Sequence, residues 1–278
     1  MAWVSLSRLT LLLALFNTVQ ACTAITDLDR FKDACEGDIT EQRDFTAELH
    51  NMAAFVPNND LSRARIELRV ANIDDAENPL LVARAVVEGF NQNFEGDSIK
   101  VFMPGAVPPG KFAVHIYVDG NHNNQYDTTE LSAVEVTEPS WIANPCPSGT
   151  LNFTASSDLQ SEIHEPTPTP IGKPFVFNMT GVGEHMQGTQ KLELMVFHQD
   201  KAVGYYRHAD INEQSIQVGI PGIIIQDEPY RIDFYIDKII DGVYVPGQDH
   251  SWRRQYTGGP DGIRETWPHT GIFQDVEF

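Results

Sequence analysis

The sequence predicts an all-β protein, built as two tandem antiparallel β-sandwich domains with a short N-terminal helix. Three observations carry this. Apolar residues recur with a period of two, as in Ile66, Leu68 and Val70 or Phe112, Val114, Ile116 and Val118. Pro-Gly and Asp-Gly pairs punctuate these runs at Pro104-Gly105, Pro109-Gly110, Pro221-Gly222 and Asp241-Gly242. The chain is also written twice. Ile99-Lys-Val-Phe-Met-Pro-Gly105 matches Ile216-Gln-Val-Gly-Ile-Pro-Gly222, and Phe112-Ala-Val-His-Ile-Tyr-Val-Asp119 matches Tyr230-Arg-Ile-Asp-Phe-Tyr-Ile-Asp237. Asn51-Met52 with Ile66–Val70 matches Asn178-Met179 with Leu192–Val196, and Tyr126 and Trp141 correspond to Tyr244 and Trp252. A shared order over roughly 100 residues points to a duplicated domain.

Residues 1–21 read as a secretory signal: Arg8 is the only charge and Leu9 to Phe16 is an apolar run. That run is shorter than the ~20 residues a membrane span requires. Residues 22–42 form a tether with a short helix: Thr26 and Asp29 make a start resembling a capping box, Leu28, Phe31 and Cys35 share a face, and Gly37 ends it. A flexible tether is the alternative. The first sandwich repeat is placed at 43–155 and the second at 174–278, joined by a Pro-rich linker, 156–173, whose alternating prolines favour an extended spacer.

Asp119-Gly-Asn-His-Asn-Asn-Gln-Tyr-Asp-Thr-Thr-Glu130 places Asp119, Asn121, Asn123, Gln125, Asp127 and Glu130 at positions 1, 3, 5, 7, 9 and 12 of a calcium loop. Calcium takes six to eight oxygen ligands, and this spacing wraps carboxylates, amides and a carbonyl around one ion. Asn124 stands at the usual glycine position and tolerates a left-handed backbone. The preceding residues alternate as a strand, so the setting is not an EF-hand. An Asx-rich turn without metal is the alternative. The second copy keeps Asp237 and Asp241 but has Ile239 and Val245 at positions 3 and 9, so calcium is expected to bind there weakly unless Asp249 reaches back.

Val19-Gln20-Ala21-Cys22 resembles a bacterial lipobox, which implies acylation of Cys22 and a lipid-anchored chain in the bacterial cell envelope, periplasmic or cell-surface. Ordinary cleavage before a free thiol is the alternative. With Cys22 lipidated, Cys35 and Cys146 remain as an even pair for a disulfide in an oxidising compartment. The run Pro-Gly-Lys-Phe-x-Val-x-Ile-Tyr-Val-Asp-x-Asn-x-Asn-x-x-Tyr-Asp, from Pro109 to Asp127, resembles prealbumin-like bacterial β-sandwich domains. Asp249-His-Ser-Trp-Arg253 and Pro268-His-x-x-x-Phe273 are similar to segments of poorly characterised bacterial lipoproteins. The resemblance implies a fold and an address, not an activity.

The formal charge is −20, or −21 once Arg8 leaves with the signal, which argues against nucleic acid or anionic lipid as a charge-driven partner. In the second copy, His185, His250 and His269 fall in loops; if these meet at one end, their imidazoles are candidate ligands for copper or zinc. His115 and His198 read as strand residues. Trp141 and Trp252 read as packing over the sandwich ends, with a sugar-stacking platform as the alternative. No nucleophile elbow, zinc-protease helix or phosphate loop is present in the sequence. The expectation is a non-enzymatic, calcium-stabilised binding or scaffold module with an unknown protein or glycan ligand. A copper- or zinc-handling protein and a carbohydrate-binding module are the alternatives.

Overall fold

A computed structural model describes residues 38–56, 65–89, 98–119, 138–145, 148–157, 168–182, 190–211, 214–239, 241–269, 272–274 and 276. The predicted helix after residue 26, all three cysteines and loop residues 120–130 lie outside them. The described residues are all-β. The first half contains β1 (Arg43–His50), β2 (Arg65–Asn72), β3 (Leu80–Glu88), β4 (Ser98–Val107), β5 (Phe112–Asp119), β6 (Ser140–Ala143) and β7 (Thr150–Thr154). The second contains β8 (Lys173–Thr180), β9 (Gln190–His198), β10 (Lys201–Ile211), β11 (Ser215–Ile224), β12 (Pro229–Ile236), β13 (His250–Thr257) and β14 (Ile263–Pro268). A 3₁₀ turn, Met52–Phe55, follows β1.

Alternation determines what each strand buries. In β1 the inward set is Phe45, Ala47 and Leu49, and in β8 it is Phe175, Phe177 and Met179, all fully buried. The Pro-Gly pairs do the same work in both halves: Gly105 and Gly222 have φ of 60° and 74°, which a side chain adopts only with strain.

The halves pair their strands in the same order. Sheets β4-β1-β7 and β11-β8-β14 each have three strands, whereas the other strands make one eight-stranded sheet, β13-β12-β9-β10-β3-β2-β5-β6. Its centre is the parallel pairing of β3 with β10, Arg84↔Gly204 through Glu88↔His208. Residues paired across a sheet share a face. Ile116, Leu68, Ala85, Tyr205 and Met195 form one such row and belong to the core under β4-β1-β7. Val86, Tyr206, Leu194 and Phe234 form the next row and belong to the core under β11-β8-β14. The two small sheets therefore cover opposite faces of the long one.

That geometry ties the halves together. Met195, Phe197 and Tyr205 of the second half complete the first core, and Leu81 and Val86 of the first complete the second. At ~1.5–3 kcal/mol for each large apolar side chain buried, the exchange contributes several kcal/mol to holding the seam. Polar contacts add to it: Tyr206 donates its hydroxyl to Glu88 Oε2 at 2.6 Å, and Arg65 pairs with the same carboxylate. The end of the Pro-rich segment is fixed to the first half, where Leu81 N donates to Thr169 O at 3.0 Å and Thr169 N to Pro79 O at 2.9 Å.

Candidate functional site

Strand direction decides which loops meet. β5 and β12 each lie two antiparallel steps from β3 and β10, which are parallel to each other, so β5 and β12 run the same way. Asp119 at the end of β5 and Ile236 at the end of β12 thus lie at one end of the eight-stranded sheet. Five strand spacings separate them, about 24 Å. Of the six predicted calcium ligands, the structure describes Asp119, buried where β5 pairs with Arg65 of β2. Asn121, Asn123, Gln125, Asp127 and Glu130 lie outside the described residues.

In the second half the turn that follows β12, 237–249, closes around two carboxylates. Asp249 is almost fully buried and does reach back: its Oδ1 accepts Lys238 N at 2.8 Å and Ile239 N at 3.4 Å, and its Oδ2 accepts Val245 N at 2.7 Å. Asp237 Oδ2 accepts Gly242 N at 2.7 Å, and Lys191 donates Nζ to Gly242 O at 2.5 Å. A calcium loop turns oxygens inward; here backbone N–H groups turn toward carboxylates instead. Among the described residues, no group of three or more His, Cys, Asp or Glu is arranged to hold a metal ion.

Of the three histidines expected to converge, His250 and His269 do meet, with Nδ1 and Nε2 3.5 Å apart. Both are buried. His250 stacks on Phe273 with centroids 4.5 Å apart, and His269 lies edge-on to Trp252 at 5.1 Å. His185 lies outside the described residues. His198 ends β9, stacked on Tyr230 and 3.3 Å from Glu228 Oε2. His115 is buried in β5, its Nδ1 3.3 Å from the Tyr117 hydroxyl; burial, then the Arg69 charge, lowers its pKa to about 4.

The tryptophans correct one alternative. Trp141 and Trp252 are 0% and 1% exposed, and each indole N–H is used, by Ser156 O at 3.1 Å and Ile272 O at 2.8 Å. Neither offers a face on which a sugar could stack. Their duplicated positions reflect packing over the sandwich ends.

Buried ionic clusters on the outer faces escaped the sequence reading. Burial alone would raise the Glu67 carboxyl, but Arg84 and Arg69 outweigh it and hold the pKa below the usual range. Arg84 itself is lowered by burial to about 10, partly opposed by Glu67. At the matching position in the second half, Glu193 accepts hydroxyls from Tyr205 and Tyr235 and lies 3.1 Å from Lys191 Nζ. The only trace in the sequence is that the aligned Ile-Glu-Leu and Leu-Glu-Leu triplets keep a glutamate at the same outward position.

No family model matches the chain, and no curated protein does. Among solved structures, a DUF3823 family protein from Bacteroides uniformis is 8% identical, with 78% of this chain and 99% of that one covered and a TM-score of 0.22. A "putative cell adhesion protein" from Parabacteroides distasonis is 10% identical, with 87% and 92% covered and a TM-score of 0.20. Likeness at this level identifies no activity.

Proposed function

We propose that this chain is a non-enzymatic binding or scaffold module of the bacterial cell envelope, tethered by lipid on Cys22. Two duplicated sandwiches, 43–155 and 174–278, display their equivalent loops from one end of a shared sheet. The parallel β3–β10 pairing carries this reading, because it joins the halves through a continuous ladder and brings the ends of β5 and β12 to the same side. Such a ladder holds the ends of β5 and β12, from which the two loops start, at a fixed separation, which favours bivalent attachment. Calcium at Asp119–Glu130 would stiffen one of the two loops, and a Cys35–Cys146 bridge would fasten the tether to the first sandwich.

Membrane fractionation with a palmitate analogue tests the anchor. The wild-type chain is expected to be labelled and membrane-bound, and Cys22→Ala unlabelled and released. Equal partitioning of the two would overturn it. The His250–His269 contact favours a second reading, copper or zinc handling with His185 as a further ligand. Stoichiometric copper or zinc in the purified chain, lost in His250→Ala, would select that reading.

A further inference from the structure

A groove of about 440 Å³ opens at the other end of the second half, away from the ends of β5 and β12. The β9–β10 turn contributes Gln199, β12 begins it with Pro229 and Arg231, and β13 ends it with Gln255 and Tyr256. Strand register places Phe197, Arg231 and Gln255 in one cross-strand row and Met195, Asp233 and Arg253 in the next. The Arg231 guanidinium lies 4.1 Å over the Phe197 ring, a contact that holds its plane fixed. Its Nε is 3.2 Å from Asp233 Oδ2. Arg253 already engages both oxygens of that carboxylate, at 2.7 and 2.8 Å.

The electrostatics follow from that arrangement. Two guanidiniums share one buried carboxylate, so the trio keeps one net positive charge on a chain of formal charge −20. Glu228, in the turn before β12, pairs with His198, which stacks on Tyr230, so its carboxylate is engaged there and not with the trio. Arg231 is about one third exposed, with its side chain at 32%, and the exposed amides of Gln199 and Gln255 supply both donors and acceptors beside it. A pre-oriented guanidinium presents paired donors that match a carboxylate.

We infer that this groove binds a carboxylate-bearing saccharide of the uronic-acid class, with Arg231 holding the carboxylate and Gln199 and Gln255 the neighbouring hydroxyls. The inference deepens the binding-module reading by naming a ligand, and it uses none of the residues that test the anchor. Calorimetric titration of the purified full chain with a glucuronate oligosaccharide, and with a neutral glucose oligosaccharide of equal length, tests it. Saturable binding of the first is expected, with the neutral sugar at least about tenfold weaker. Arg231→Gln should lose about the same factor, and the exposed Gln255→Ala should also weaken binding while leaving the melting curve unchanged. Absence of saturation, equal affinity for the neutral sugar, or an Arg231→Gln affinity equal to wild type would overturn the assignment. None of these results would alter the behaviour of Cys22→Ala in fractionation, so the two ideas fail separately.

Discussion

Replacing Asp249 by alanine is expected to unlock the 237–249 turn. Two backbone donors, Lys238 N and Val245 N, lie at 2.8 and 2.7 Å from this carboxylate, and a third, Ile239 N, sits at 3.4 Å. Hydrogen bonds to a charged group contribute about 1.5–3 kcal/mol each. The two close ones therefore put the loss at about 3–6 kcal/mol, with the long contact adding little. Solvent screens these bonds weakly, because Asp249 is 1% exposed. Against a total stability of ~5–15 kcal/mol, that is a large fraction. For a chain of this size, the loss should lower the melting temperature by roughly 10 °C. Asp249→Asn keeps one carbonyl acceptor, removes the charge, and should fall between alanine and wild type. Urea unfolding of the three proteins, followed by tryptophan fluorescence, gives the free energies directly; Trp252, three residues on in β13, reports the region. A loss below about 1 kcal/mol for Asp249→Ala would refute the view that this carboxylate organises the loop, since a single charge-assisted bond exceeds that.

Three other outcomes are expected. Calcium at a hundredfold excess over its dissociation constant should stabilise the full chain by about 2.7 kcal/mol, and Asp119→Ala with Glu130→Ala should abolish that gain; an unchanged melting shift in the double variant would place the site elsewhere. Tyr206→Phe removes the hydroxyl bonded to Glu88 across the seam and should cost about 1–3 kcal/mol in urea unfolding, while Glu88→Gln together with Tyr206→Phe should cost less than the sum of the separate changes. The folded chain holds His115 near 4 against an ordinary value of 6.5, so the unfolded chain takes up the proton first as pH falls. Its contribution is complete above about 6.5 and is lost toward 4, at most about 3 kcal/mol. His115→Phe should flatten the stability–pH curve in that window, and an unchanged slope would assign the acid sensitivity to other groups.

Alternation was enough to place β2, β5, β9 and β12, because each of these strands turns one apolar set to its core. The same rule missed the central pair. Leu80-Leu-Val-Ala-Arg-Ala-Val-Val87 has little alternation, and six of its residues are buried, on both faces. Continuous apolar runs of this kind belong to strands covered on two sides, as in parallel sheets, and that is what β3 and β10 become when they join. Reading the run as such would have exposed the fusion. The outer-face clusters were hidden for a different reason. A glutamate between apolar neighbours looks like a solvent-facing residue until Arg84, from another strand, is known to stand beside it. The Trp141 and Trp252 positions were legible because duplication at matching sites is a packing signature, and their burial follows.

Two sandwiches that join through β3 and β10 have each surrendered the edge along which β-proteins most readily aggregate. What remains of the long sheet is unequal and guarded. β6 has only four residues, and β13 carries exposed Arg253 and a bridge from Ser251 to Gln274 that occupies part of its rim. Short, charged or covered borders discourage strand-by-strand accretion of further molecules. Cutting the chain between the halves would reopen two long, apolar borders at once, so separated fragments should precipitate or recombine, whereas the intact chain can stand at high local concentration without fusing to its neighbours.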